Sequence, residues 1–203
     1  MSDMELAVFA RAPKAGQVKT RLAPLLGESG ALQAHRELVV GTLARIASIP
    51  EISLWVSAID DEVLQWAERV GGSLSLQHGD HLGARMLDCL RSCLDRGRTR
   101  VCLMGTDCPE IDAEYVHSAF AALAQAQVVI APAEDGGYGL IGVRADAYEK
   151  LPALFDDVPW STDSVAAVTH KRAESVGLQM VRLPQIWDVD RPEDWHRYRD
   201  MDR

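Results

Sequence analysis

Short apolar runs alternate with longer amphipathic stretches along most of the chain. The apolar runs predict strands at residues 4–10, 52–59, 74–77, 101–105, 127–133, 138–144 and 178–183. Apolar positions at helical spacing predict helices at residues 30–48, 61–69, 82–95, 112–126, 163–175 and 192–200. This alternation is typical of a mainly parallel sheet covered by helices on both faces, and it places the chain in the α/β class.

No internal repeat, low-complexity segment or linker interrupts this pattern, so we predict a single domain over residues 1–203. The strand predicted at 138–144 is expected to follow its predecessor through a hairpin or a bend. Ligands of open α/β sheets bind outside the carboxyl ends of the strands. The loops after the strands at 4–10, 101–105 and 127–133 carry unusual polar residues, so they are the first candidates for a site.

Composition and charge exclude several classes of protein. With 47% hydrophobic and 25% charged residues, the chain is neither disordered, collagen-like nor a coiled coil. No apolar run approaches the roughly 18 residues that a membrane span needs. Acidic residues precede the first apolar run, which is atypical of a secretory leader, so we expect a cytoplasmic protein. The net charge of -9 argues against nucleic acid and anionic membranes as partners.

The cysteines lack the paired spacing of zinc sites and are expected to be reduced thiols. Cys89 and Cys93 lie four residues apart on one predicted helix face and are expected in the core. Cys108 follows a predicted strand end, and it is the one thiol expected to be accessible.

The loop after the first strand concentrates positive charge in an acidic protein. Gly16 lets the backbone approach a ligand, and the loop leads into a helix start near Lys19. Backbone N–H groups with fixed cations form a phosphate cradle, although a solvated basic loop is the simpler interpretation. The spacing from Gly16 to Lys19 differs from that of a Walker A loop. The predicted phosphate-binding residues here are Arg11, Lys14, Gly16, Lys19, Thr20 and Arg21.

Carboxylates follow two other predicted strands. Asp107 ends the strand at 101–105, where it is well placed to hold a divalent cation on phosphate oxygens. It could instead cap the next helix, but Asp112 is better placed for that. Asp188 and Asp190 would point to the same side of an extended segment. Asp190 also begins a capping-box pattern with Glu193, so Asp188 is the preferred second metal ligand.

Three further segments are candidates for binding the acceptor or the nucleotide. The turn Asp135-Gly136-Gly137-Tyr138 is typical of a plain hairpin, but its glycines also leave room for a ligand. The segment Trp160-Ser161-Thr162-Asp163 precedes a predicted helix, so its polar residues could serve only as a helix cap. Arg85 lies early in the helix at 82–95, from which it could reach a ligand. His78 and His81 lack a third nearby ligand and are expected to be helix-entry residues.

The motifs also resemble a known family. They are, in order, Phe9-Ala-Arg-x-Pro-x-x-Gly16-x-x-Lys19-Thr-Arg-Leu, Gly105-Thr-Asp-Cys-Pro, Asp135-Gly-Gly-Tyr-x-Leu-Ile-Gly142, Trp160-Ser-Thr-Asp163 and Asp188-Val-Asp-x-Pro-Glu-Asp194. Together they resemble a bacterial family of the nucleotide-diphospho-sugar transferase superfamily, some of whose members carry the label of arsenosugar-associated glycosyltransferases. The arrangement is also similar to molybdopterin and 2-phospholactate guanylyltransferases.

This resemblance implies a Rossmann-like α/β/α sandwich of the glycosyltransferase-A type. It implies that Lys19 and Arg21 hold nucleotide phosphates and that Asp107 binds Mg²⁺ or Mn²⁺, with Asp188 or Asp190 completing the metal site. One difference from typical nucleotidyltransferases is that the first loop lacks their glycine-rich start.

These observations lead to three hypotheses. The first is a magnesium-dependent nucleotidyltransferase acting on a nucleoside triphosphate and a small phosphorylated or hydroxyl acceptor, with Lys19, Asp107 and Asp135 as catalytic residues. The second is a glycosyltransferase that uses a nucleotide sugar, with Asp135 or Asp163 as the base. The third is a non-catalytic nucleotide-binding regulatory protein. The sequence carries no signal of oligomeric state.

Overall fold

The computed structural model describes residues 3–201, and it contains a seven-stranded sheet. The strands are β1 (Met4–Ala10), β2 (Ile52–Val56), β3 (Ser73–Leu76), β4 (Arg100–Met104), β5 (Val128–Pro132), β6 (Tyr138–Arg144) and β7 (Met180–Arg182). Their order in the sheet is β3-β2-β1-β4-β6-β5-β7. Only β6 runs antiparallel, between β4 and β5, because it follows β5 through a hairpin. The fold is therefore the α/β class with a mainly parallel sheet that the pattern predicts.

The helices are α1 (Ala23–Arg45), α2 (Asp61–Val70), α3 (Leu82–Asp95), α4 (Ala113–Ala122), α5 (Leu151–Phe155), α6 (Val165–Ser175) and α7 (Pro192–Met201). Short 3-10 helices cover Thr20–Leu22 and Ala145–Lys150. Three apolar clusters form the core of the described residues, and the two largest lie against the sheet. One is centred on residues such as Leu54, Ile111 and Leu123, and the other on Leu90, Ile141 and Leu154. Within residues 3–201, no helix combines the length and apolar character needed to cross a membrane.

The structure corrects several predicted boundaries. The helix predicted at 30–48 begins at Ala23, with a proline in its first turn and a break at Gly27, whose φ is 71°. The strand predicted to reach residue 59 ends at Val56. Helix α5 was not predicted, because five residues are too few to show a helical period.

Candidate functional site

The parallel strands bring four polar loops to one edge of the sheet. Because β1 and β4 are neighbours, the loop that begins at residue 11 lies beside the loop that begins at residue 105. Chain order reverses here: β2 and β3 lie on one side of this pair and β5 to β7 on the other, which is the point where α/β sheets bind ligands. The segment after β7 joins the same edge, since the Val189 N–H donates to the Asp107 carbonyl at 2.9 Å.

Lys19 lies between two of these loops. Its φ of 47° is in the left-handed region, which is uncommon for a residue with a side chain. Its Nζ lies 2.8 Å from Oδ1 of Asp107 and donates to the Val189 carbonyl at 2.6 Å. Only 6% of the Lys19 side chain is exposed, against 47% of the Asp107 side chain. The ammonium is thus held in place beside a half-exposed carboxylate, as the predicted site requires.

Asp188 lies close to the same carboxylate. Burial and the charges of Asp135 and Asp107 raise the pKa of Asp188 to about 6, although the Lys19 ammonium acts in the opposite direction. Three aspartates from three different loops therefore lie near enough for the charges of Asp135 and Asp107 to act on Asp188. Such mutual repulsion is relieved when a cation binds between carboxylates.

Arg21 and Asp190 form the outer part of the site. The Arg21 guanidinium donates to Asp190 Oδ2, and this contact raises the pKa of Arg21. The predicted capping box does not describe the start of α7, because Asp194 accepts the backbone N–H groups of Asp190 and Arg191, at 3.1 and 2.7 Å. Asp190 thus serves as the partner of a phosphate-binding candidate, and Asp188 remains the better candidate for a metal ligand.

The turn after β5 has the hydrogen bonding of an ordinary hairpin, and its glycines allow it to pack closely against another loop. Asp135 Oδ1 accepts the Gly137 N–H at 2.8 Å, which is the side-chain bond of a tight turn. Gly136 has a φ of 87°, and a Cβ there would collide with the Asp163 backbone. The Ala166 N–H donates to the Gly136 carbonyl at 2.9 Å, so the turn is packed against the start of α6. A side chain at residue 136 would push these two loops apart.

The segment around Trp160 is held by contacts within the loop and with α3. The Trp160 ring is stacked on Phe155 with centroids 6.4 Å apart, and it lies against Gly83, where a Cβ would collide with the indole. Thr162 Oγ1 donates to the Pro159 carbonyl at 2.7 Å. The expectation that residues 161–163 supply the helix cap is wrong, because the cap position is Ser164. Ser161 instead has a φ of 68°.

Three predicted phosphate-binding cations differ from Lys19 and Arg21 in their contacts. Arg11 is exposed, and its Nη1 donates to the Gln17 carbonyl at 3.3 Å within the same loop. Arg85 Nε donates to the Gly79 carbonyl at 2.9 Å. Lys14 is exposed. The structure therefore pairs Lys19 and Arg21 with carboxylates, whereas Arg11 and Arg85 contact backbone carbonyls of their own segments. Gly16 and Thr20 are exposed on the same loop.

The expectation that Cys108 is accessible is wrong. Only 3% of the residue is exposed, and burial raises the pKa of its thiol well above the usual value. The thiol fits because Gly139 on β6 has no side chain, and a Cβ at that position would collide with the Cys108 sulfur. Cys89 and Cys93 are buried in the core as predicted, and the His81 side chain accepts the Ala84 N–H at the start of α3.

The sequence analysis did not identify His35, which is hydrogen-bonded to the backbone at the start of the cation-rich loop of residues 11–21. This side chain on α1 is buried, and its Nε2 is hydrogen-bonded to the Arg11 carbonyl at 2.9 Å. Burial lowers the pKa of His35, so the neutral ring is favoured. The available signal was its position, since His35 lies three residues from both Leu32 and Leu38 on the apolar face of the predicted helix.

The carboxylates of the site could hold a magnesium ion whose remaining positions are filled by substrate oxygens. Within residues 3–201, no three His, Cys, Asp or Glu side chains lie close enough to form a metal site from protein ligands alone. Mg²⁺ usually takes one or two carboxylates and fills its remaining positions with phosphate oxygens and water. Asp107 and Asp188 match that arrangement, and the aspartates of the site outnumber the paired cations Lys19 and Arg21.

The fold is that of nucleotide-diphospho-sugar transferase-like proteins, in agreement with the transferase class predicted from the sequence. A structure from Desulfovibrio desulfuricans G20, provisionally described as a nucleotide-diphospho-sugar transferase, is 30% identical with a TM-score of 0.91, over 100% of this chain and 89% of that one. Residues 42–162 match the family model DUF2064, described as uncharacterized protein conserved in bacteria. The chain belongs to this family, which confirms the predicted resemblance.

More distant structures share the fold. A cytidylyltransferase from Leptospira borgpetersenii is 14% identical with a TM-score of 0.61, over 96% of this chain and 84% of that one. The molybdopterin-guanine dinucleotide biosynthesis protein A of Archaeoglobus fulgidus is 13% identical with a TM-score of 0.57, over 98% of each chain. No protein of curated function matches this sequence.

Because the pKa of Asp188 is raised, we predict that Asp188→Asn stabilises the ligand-free protein. Because the pKa of the folded state, about 6, lies above the ordinary value of 3.8, ionisation of Asp188 opposes folding. This cost is absent below about pH 4, grows between about pH 4 and 6, and is complete above that range. The melting temperature of Asp188→Asn should therefore exceed that of the wild type at pH 7.5, and the difference should shrink as the pH falls toward 4.5.

Asp146→Asn is the matched control for this measurement. Arg144 donates to the Asp146 carboxylate at 2.8 Å and lowers the pKa of that group, so the same substitution there should not raise the melting temperature. A melting temperature of Asp188→Asn at or below the wild-type value at pH 7.5 would contradict the electrostatic interpretation of the site.

Proposed function

We propose that this protein is a magnesium-dependent nucleotidyltransferase that transfers a nucleotidyl group from a nucleoside triphosphate to a phosphate or hydroxyl of a small acceptor. The observation that carries the proposal is the buried ammonium of Lys19, 2.8 Å from Asp107 at the carboxyl ends of β1 and β4. A fixed cation beside a half-exposed carboxylate suits a phosphate chain that is bound together with a metal ion.

In the proposed reaction, an acceptor oxygen attacks the α-phosphorus in line, and the bond between that phosphorus and the departing pyrophosphate breaks. Lys19 would offset negative charge on the transferred group, and Arg21 would hold the phosphates at the rim of the site. Mg²⁺, held by Asp107 and Asp188, would neutralise the triphosphate and draw charge from its oxygens. Most of the catalysis would then come from positioning and charge neutralisation, as is usual in phosphoryl transfer.

Asp135 would accept the proton of a hydroxyl acceptor. Its Oδ1 is already hydrogen-bonded to the Gly137 N–H, which keeps the carboxylate oriented within the turn. The segment Trp160-Ser161-Thr162-Asp163 packs directly against this turn, so we place the acceptor on the surface that these two loops form together. A phosphate acceptor that arrives ionised would not need this base.

Glycosyl transfer is the second candidate function. The observation in its favour is the similarity to the protein from Desulfovibrio desulfuricans G20, a provisional nucleotide-diphospho-sugar transferase that is 30% identical over the whole chain. In that case the same Lys19, Arg21 and metal ion would stabilise a nucleoside diphosphate leaving group. Asp135 or Asp163 would then serve as the base.

A thermal-shift screen distinguishes these functions without knowledge of the acceptor. ATP, CTP, GTP, UTP and a set of nucleotide sugars are tested one at a time, with and without Mg²⁺. A ligand at about 100 times its dissociation constant stabilises the folded state by about 2.7 kcal/mol, or about 5–10 °C for a protein of this size. We expect this shift with one triphosphate, and only with Mg²⁺. Stabilisation by nucleotide sugars alone would instead support glycosyl transfer, and stabilisation by neither class would overturn both proposals.

A further inference from the structure

The C-terminal helix α7 lies against the segment that carries Asp188. Trp195 of α7 is in the same buried cluster as Trp187 and Val189, the two residues that flank this aspartate. The cluster also contains Leu22 at the end of the basic loop. The apolar spacing predicts this helix, but no sequence motif extends beyond its first turn.

Arg197 of α7 contacts both the segment that carries Asp188 and the segment that carries Asp135. Its guanidinium carbon lies 4.1 Å from the centre of the Trp187 ring, and its Nη1 donates to both Glu134 oxygens, at 3.1 and 2.9 Å. Trp187 immediately precedes Asp188, and Glu134 immediately precedes Asp135. One guanidinium therefore joins the neighbours of two aspartates of the proposed site.

The backbone connects the same two segments one step earlier. The Ile186 N–H donates to the Pro132 carbonyl at 2.9 Å, and the Glu134 N–H donates to the Ile186 carbonyl at 3.0 Å. The residues that these hydrogen bonds join come just before Asp188 and Asp135 in the sequence. The contacts of Arg197 extend this connection from Ile186 to Trp187 and add a side-chain contact at Glu134.

The Arg197 contacts suit a role in geometry better than one in stability. Arg197 and Glu134 are 47% and 55% exposed, and ion pairs of such exposure contribute little to the free energy of unfolding. A guanidinium held between a carboxylate and an aromatic face is nevertheless well fixed. Small displacements of groups that bind a metal or a reacting phosphate have large effects on affinity and rate.

We infer that Arg197 is a positioning residue: through Trp187 and Glu134 it holds the segment of the proposed metal ligand Asp188 against the turn of Asp135, and so it supports the Mg²⁺ affinity of the site. The inference rests on the proposed function, since it assigns a purpose to the spacing of those aspartates. It predicts that loss of the guanidinium weakens the response to Mg²⁺ more than it weakens the fold.

The test is a Mg²⁺ titration of the full chain by thermal shift, in an equimolar mixture of ATP, CTP, GTP and UTP. For Arg197→Ala, the Mg²⁺ concentration that gives half of the stabilisation should rise about tenfold, the effect expected when a group supporting a metal ligand is removed. The melting temperature without Mg²⁺ should change little. A merely structural role would lower that temperature and leave the Mg²⁺ midpoint unchanged.

Arg199→Ala is the matched control on the same helix. Arg199 makes the same kinds of contact, a salt bridge to Glu37 at 3.1 Å and a position over the Trp195 ring at 5.7 Å, but it touches neither carboxylate-bearing segment. Its Mg²⁺ midpoint should equal that of the wild type. In Arg197→Lys, which keeps the charge but not the planar fork, the midpoint should lie between those of Arg197→Ala and the wild type.

Glu134→Gln provides an independent variant if Arg197→Ala does not fold. It removes the ion pair, keeps an acceptor for Arg197, and should also raise the Mg²⁺ midpoint. The inference requires that the wild type responds to Mg²⁺. If it does, a folded Arg197 variant or Glu134→Gln whose Mg²⁺ midpoint equals that of Arg199→Ala would overturn the inference. A wild type without any Mg²⁺-dependent stabilisation would instead refute the proposed function.

Discussion

Replacing Asp107 with asparagine is expected to lower the rate of nucleotidyl transfer by about a hundredfold or more and to abolish the Mg²⁺-dependent thermal shift. The physical reason is the loss of one negative metal ligand, because a bound metal supplies several kcal/mol of charge stabilisation in the transition state and each 1.36 kcal/mol is tenfold in rate. The amide oxygen of asparagine still accepts from Lys19, so the fold should persist. The measurements are the thermal shift with the triphosphate that stabilises the wild type, and pyrophosphate release from that triphosphate in the presence of an acceptor that the wild type turns over.

Asp112→Asn is the matched control for this variant. Asp112 lies in the same loop and caps α4, where its Oδ1 accepts the Tyr115 N–H at 2.8 Å. Asparagine caps helices as well as aspartate does, so stability and turnover should both be unchanged. An Asp107→Asn protein with wild-type binding and wild-type Mg²⁺ dependence would favour the hypothesis of a non-catalytic nucleotide-binding protein.

Replacing Lys19 with methionine is expected to lower nucleotide affinity at saturating Mg²⁺ and to reduce turnover by about a hundredfold. Methionine keeps much of the apolar stem of a side chain that is only 6% exposed, but it removes the ammonium. The lost hydrogen bond to Val189 should cost about 1 kcal/mol of folding free energy, so the variant should remain folded.

The same variant has a second consequence of opposite sign. In the absence of nucleotide, the Lys19 ammonium lies on Asp107 Oδ1, where it competes with a metal ion for that carboxylate. Mg²⁺ alone should therefore stabilise Lys19→Met more than it stabilises the wild type. Lys171→Met, an exposed position on α6, is the control and should match the wild type in both measurements. Unchanged nucleotide affinity in Lys19→Met would remove the basis of the phosphate-binding proposal.

The order of strands and helices could be predicted because buried strands and amphipathic helices differ in the period of their apolar positions. Boundaries were less accurate where a local signal was weak. The start of α1 was placed seven residues late, since Gly27 breaks the helix near its beginning. Helix α5 is apolar and only five residues long, so its pattern does not differ from that of a buried strand.

The spatial convergence of the candidate residues could be predicted in part. Lys19, Arg21, Asp107 and Asp188 do converge, because the ends of parallel strands meet at one edge whatever the intervening sequence. The ion pair of Asp190 with Arg21 and the burial of Cys108 depend on neighbours more than 30 residues away in sequence, and no local pattern encodes them. The same holds for Arg197, which in the sequence is an ordinary cation on a C-terminal helix.

Local residue order is sufficient to determine the α/β class, the positions of the polar loops and the concentration of cations before Leu22. Those features follow from short-range properties: side-chain period, turn residues and capping. The pairing of Lys19 with Asp107, the crowding that raises the pKa of Asp188 and the contacts of Arg197 arise from the strand order and from the packing of α7. They require atoms from distant segments to approach within a few ångströms, and only the folded chain brings those atoms together.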